Sequence, residues 1–141
     1  MTVVRLLLAE ENAALRDVLS RALRDSPELE LVGVLSRTQG ILGKAPALNP
    51  DVVLMDVHVK EGNALNLARQ LRPLVPDVKI VLLTEEDASL YAEAAAANGI
   101  SACLPKTASH SNLVRAVLSV VGEAETMQPR RLREKRKEKH A

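Results

Sequence analysis

Five apolar segments recur along the chain: Val3 to Ala9, Leu29 to Val34, Val52 to Met55, Lys79 to Leu83 and Ala102 to Leu104. Several are continuous runs rather than alternations, as expected of strands covered on both faces of a parallel sheet. Between them the spacing becomes helical. Leu15, Val18, Leu19, Ala22 and Leu23 follow the i, i+3, i+4, i+7, i+8 pattern, and Leu113, Ala116, Val117, Val120 and Val121 repeat it. Leu65, Ala68, Leu71 and Leu74 mark another helix, bounded by Pro73 and Pro76. Ala88 to Asn98, rich in alanine and closed by Gly99, marks a further one. Residues 38 to 48, with two glycines and a proline, carry the weakest helical pattern. Five strand–helix units in succession predict an α/β fold: a five-stranded parallel sheet, (βα)5 and doubly wound, with right-handed crossovers. In such sheets the working site lies beyond the carboxyl ends of the strands, where strand order reverses. Chemistry is therefore expected just after each apolar run.

At 141 residues, 47% apolar and 26% charged, the chain has the size and balance of one domain. No apolar run approaches the roughly eighteen residues of a bilayer span. The N-terminal VVRLLLA is too short, and too soon followed by acids, to be a secretory signal. A cytoplasmic protein with no membrane partner is expected. Cys103 is the only cysteine, so neither an internal disulfide nor a cysteine metal cluster can form. Tyr91 is the only aromatic residue, which argues against stacking platforms for single-stranded nucleic acid and against an aromatic-lined cofactor pocket.

The net charge is +1, unevenly placed. Pro129 to Ala141 holds seven Lys/Arg and two Glu, a net of +5, and residues 1–128 hold twelve basic and sixteen acidic residues, a net of −4. A domain over residues 1–123 is expected, followed by a basic tail or linker over 124–141. That tail reads as a solvated disordered extension, a continuation of the last helix, or a cationic arm whose hold on nucleic acid fades with salt.

The strand ends carry Glu10 and Glu11 after the first run, Asp56 ending the third, Thr84 after the fourth, and Pro105 and Lys106 after the fifth. Two like charges about 4 Å apart cost on the order of 4 kcal/mol at an effective dielectric near 20, so the acids call for a cation. Lys106 offers one, and an all-oxygen site of carboxylates, a backbone carbonyl and waters suits Mg2+. Blander readings exist for each residue. Glu10 and Glu11 fit as acids favoured by a helix dipole, Thr84 as a helix N-cap and Lys106 as a solvated charge. Cys103 fits as a small buried hydrophobe.

In order and at these positions the constellation resembles the receiver domain of bacterial two-component response regulators, over roughly residues 3–122. The resemblance rests on LLLAEEN, VVLMDV, IVLLTEE and ACLPKTAS. It implies a CheY-like fold with the flavodoxin-like strand order 2-1-3-4-5. It further implies that Asp56 accepts a phosphoryl group from a sensor histidine kinase, the chain being no enzyme beyond assisting its own phosphorylation and dephosphorylation. Mg2+ would be held by Glu10, Glu11, Asp56 and the backbone carbonyl of His58, while Thr84 and Lys106 sense the product and switch a surface. A homodimer through the last two helices is a family expectation. LPKTAS resembles the subfamily with a LuxR-type helix-turn-helix output, so transcriptional regulation is expected, with DNA contacted only through an output domain outside this chain.

Several residues depart from the family pattern. The acidic pair usually ends in Asp, and Glu11 adds one C–C bond of about 1.5 Å, against the near-ideal geometry Mg2+ demands. Glu85 replaces a small residue and either repels the donor or narrows the entrance. Lys60 and Ala64 replace a common proline and glycine, and Cys103 stands where an aromatic usually swings. These departures support one rival, a pseudo-receiver that binds partners without being phosphorylated. A flavin module is set aside because AEENAA would repel phosphate. An aspartyl phosphatase is set aside because His58 stands where its second acid belongs.

Overall fold

A computed structural model describes residues 3–38, 40–56, 64–85, 93 and 95–127, with 123–127 described as backbone alone. His58, Lys60, Tyr91 and residues 128–141 of the basic tail lie outside these residues, while 124–127 are helical. The elements are β1 (Val4–Ala9), α1 (Ala13–Arg24), β2 (Leu29–Leu35), α2 (Gly40–Leu48), β3 (Val52–Asp56), α3 (Ala64–Leu71), β4 (Lys79–Thr84), β5 (Ala102–Pro105) and α4 (His110–Met127). The sheet is parallel throughout and ordered β2-β1-β3-β4-β5. Strands β2, β3, β4 and β5 run one residue beyond their apolar runs.

The continuous apolar runs are explained by two cores, one on each face. Leu6, Leu8, Val52, Leu54, Val81 and Leu83 face α1 and α4, packing with Leu19, Leu23, Leu113 and Val117. Their neighbours Leu7, Ala9, Val53, Met55, Ile80 and Leu82 face α2 and α3, packing with Ile41, Ala45, Leu67, Ala68 and Leu71. Each fully buried leucine contributes about 1.5–3 kcal/mol. β2 resets its alternation partway along. Leu6 stands opposite Leu31 but Leu7 stands opposite Gly33, so Val32 is an extra residue, a bulge. Leu29, Leu31 and Val34 therefore join one core while Val32 and Leu35 join the other. Gly33 sits where a Cβ would come within 2.9 Å of Leu7 Cδ1 and of Leu48 Cδ1.

The helical expectations hold with corrections. In α1, Val18 is 45% exposed, and Ser20 is buried in the core-facing stripe because its hydroxyl donates to Arg16 O at 2.6 Å. Leu74 is 49% exposed. The chain leaves α3 at Leu71 and turns, and Val75 goes inward instead. α2 forms despite Pro46 because Ile41 and Ala45 are buried, and the Arg5 guanidinium takes the carbonyls of Leu48 and Asn49 at its end. Of Ala88 to Asn98, positions 93 and 95–98 are described; 93 and 95–97 are helical and Asn98 lies in a turn. That helix closes as the sequence indicates: Gly99 has φ +76°, its N–H donates to Ala96 O, and Ile100 N–H donates to Ala95 O.

Candidate functional site

Strand ends build the site. β3 is buried along its whole length, so Asp56 arrives at the carboxyl edge only 5% exposed. Next to it Thr84 ends β4, fully buried. The Lys106 amide donates to Thr84 O at 2.7 Å, which continues the β4–β5 ladder one step past Pro105. From β5 the lysine stem reaches past β4 to acids on β3 and β1. Its Nζ lies 2.9 Å from Asp56 Oδ2 and 3.2 Å from Glu10 Oε2. The three side chains are 9%, 8% and 0% exposed, so this is a buried triad with two negative charges to one positive. A third carboxylate, Glu85, stands 3.7 Å from the same nitrogen, but its side chain is 70% exposed. Burial pulls the Lys106 ammonium down. Hydrogen bonds to Asp56 and Glu10, with the charges of the same groups, outweigh that and hold its pKa above the usual lysine value.

The acidic loop is tied down separately. Asn12 caps α1, its Oδ1 accepting from Leu15 N at 2.9 Å, and its own N–H donates to Glu10 Oε2 at 3.1 Å. Glu10 and Glu11 thus precede the cap and are not acids of the first helical turn. Among the described residues, Glu10 Oε1 and Glu11 Oε2 are buried with no hydrogen-bond partner, an expensive condition that asks for a cation.

The structure therefore gathers Glu10, Asp56 and Lys106 into one cluster, with the Thr84 main chain bonded to Lys106 and Glu11 following Glu10 in the chain. His58 lies outside the described residues. Cys103 is half-buried opposite Leu82, against the α2–α3 core, and burial pushes its thiol pKa up. Among the described residues no group of three or more His, Cys, Asp or Glu side chains is drawn together tightly enough to hold a metal by itself. Lys106 takes part of that place, bridging Glu10 and Asp56. Sequence reasoning missed Asn12, whose amide donates to the Glu10 carboxylate, and Arg16, which holds the main-chain carbonyls of Glu10 and Glu11. It also missed that Glu85 pairs with Lys106. One signal was available for Arg16: a cation in the first turn of a helix opposes the helix dipole.

Comparison with known proteins identifies the family and the fold. The family model for the response regulator receiver domain matches residues 6–118. The DNA-binding transcriptional activator DevR/DosR of Mycobacterium tuberculosis is 31% identical over 84% of this chain and 54% of its own length. The transcriptional regulatory protein LnrK of Bacillus subtilis is 29% identical over 84% of this chain and 54% of its own length. A protein-glutamate methylesterase of Caulobacter vibrioides is 29% identical over 87% of this chain and 36% of its own. This chain thus spans about half, or less, of these relatives. In fold it is similar to the receiver domain of NarL from Mycobacterium tuberculosis, with a TM-score of 0.77 at 24% identity, covering 84% of this chain and 96% of that one. With strand order and family match in agreement, the chain belongs to the response regulator receiver domains of two-component systems.

Proposed function

We propose that Asp56 accepts a phosphoryl group from a sensor histidine kinase in the cytoplasm, and that the new charge rearranges a surface used for output or self-association in transcriptional regulation. The observation that carries this reading is the 2.9 Å contact between Lys106 Nζ and Asp56 Oδ2 at the end of a fully buried strand. In the transfer an Asp56 oxygen bonds to phosphorus while the P–N bond of the donor phosphohistidine breaks, and the imidazole nitrogen keeps the electron pair. The product carries nearly two negative charges and three acceptor oxygens. Lys106 follows that charge and the Thr84 hydroxyl donates to it. Residues 1–123 act as the receiver and 124–141 as a tail or linker.

The cofactor of this reading is Mg2+. Glu10 Oε1 and Glu11 Oε2, buried and unpartnered among the described residues, are hard donors of the right kind. Mg2+ uses one or two carboxylates and keeps several waters, so a tight three-acid cluster is not required. Glu10, Glu11, Asp56 and the His58 carbonyl would hold it, and its charge would screen the carboxylate from the incoming phosphate.

The test is incubation with Mg2+ and acetyl phosphate followed by intact-mass measurement. An added phosphoryl group is expected, absent in Asp56→Asn and absent with chelator. A folded protein that takes no label would be behaving as a phosphorylation-independent interaction domain, and the proposal would fall.

A further inference from the structure

Arg16 has no part in the transfer chemistry, yet it holds the loop that carries the acids. The first turn of α1 contains no acidic residue and does contain this arginine, the wrong sign for a helix N-terminus. Its guanidinium turns back past the cap. Nη1 donates to Glu10 O at 2.9 Å and to Glu11 O at 3.4 Å. The Arg16 backbone is itself fixed, its N–H donating to Asn12 O at 2.8 Å and its carbonyl accepting from Ser20 Oγ at 2.6 Å. Two successive carbonyls converging on one donor fix the peptide planes on either side of Glu11. With the carbonyls turned towards Arg16, the direction in which the two carboxylates leave the chain is set. Of the two carboxylates, Glu10 Oε1 and Glu11 Oε2 are left buried and unpartnered among the described residues.

We infer that Arg16 is a positioning residue for divalent-cation binding, acting on the metal through the backbone of Glu10 and Glu11. The inference rests on the metal site proposed above. Its sign separates it from plain electrostatics. A guanidinium beside a dication repels it, so deleting the charge alone would tighten metal binding. Loss of positioning weakens binding, as removal of groups that orient ligands does, typically by about 10-fold or more.

The test is calorimetric titration of the full chain with Mg2+, with urea unfolding in chelator to check the fold of each variant. Arg16→Met is expected to bind Mg2+ about 10-fold more weakly. Arg16→Lys should fall between it and the unaltered chain, because an ammonium supplies the charge without the planar fork. Arg21→Met, which removes an exposed cation paired with Asp17 on the same helix, should leave affinity unchanged. Equal or tighter binding by Arg16→Met overturns the role of Arg16 and leaves the metal site standing. No binding by the unaltered chain at millimolar Mg2+ overturns the site and this inference together. If Arg16→Met does not fold, Arg16→Lys decides: weaker binding supports the inference, and affinity equal to that of the unaltered chain overturns it.

Discussion

Lys106 and Asp56, fifty positions apart in the chain, meet at 2.9 Å with almost no exposure to water. Neither Asp56 nor Glu10 is well solvated, so the ammonium is what makes two neighbouring carboxylates tolerable. Lys106→Met should cost about 3–5 kcal/mol, the usual consequence of stripping the partner from a buried charge. Urea unfolding at neutral pH measures it. A deficit below about 1 kcal/mol would contradict the assignment.

The same contact sets the alkaline limit. The Lys106 pKa is raised in the folded protein, so its stabilisation is fully present below the unfolded lysine value of about 10.4. It is lost as pH rises through the higher folded value. Stability should therefore fall more steeply between the unfolded and the raised folded value in the unaltered chain than in Lys106→Met, as read from urea midpoints across the alkaline range.

Glu85 separates stability from reactivity. Its pairing with Lys106 spans 3.7 Å and is largely exposed, so Glu85→Gln should change stability by no more than about 0.5 kcal/mol. In the proposed reaction the same change removes a negative charge from the approach to Asp56. Labelling by acetyl phosphate should accelerate several-fold, and the gain should diminish as salt is added.

Gly33→Ala should destabilise the fold by about 1–3 kcal/mol through overpacking. Its new methyl meets the ends of Leu7 and Leu48 at 2.9 Å, and Leu7 is fully buried. A lower urea midpoint with an unchanged slope is the expected signature. Pairing it with Leu48→Ala should recover part of the loss.

Most of the sheet was legible because its strands are buried on both faces, and only apolar residues satisfy that condition. The strand order was legible through the family resemblance and not through periodicity. Helical spacing failed where something other than spacing decided burial. Ser20 is tolerated inside because Arg16 O accepts its proton, and Leu74 lies beyond the point where α3 unwinds. The bulge at Val32 was hidden because a register shift is a relationship between two strands. At the site, Glu10, Asp56 and Lys106 stood out as charged residues ending apolar runs. Arg16 and Asn12 did not, since they work by bonding to main-chain atoms, which every residue type possesses.

The bulge reaches further than its own strand. Because of the one additional residue, Leu35 stands opposite Ala9, and the Glu10 amide finds Leu35 O at 3.1 Å. Without that residue the upper half of β2 would slide by one pleat, about 3.3 Å, and turn Leu35 to the opposite side. Val32 thus serves as a spacer, trimming the outer edge of the sheet so that the acidic loop hangs from two strands rather than one.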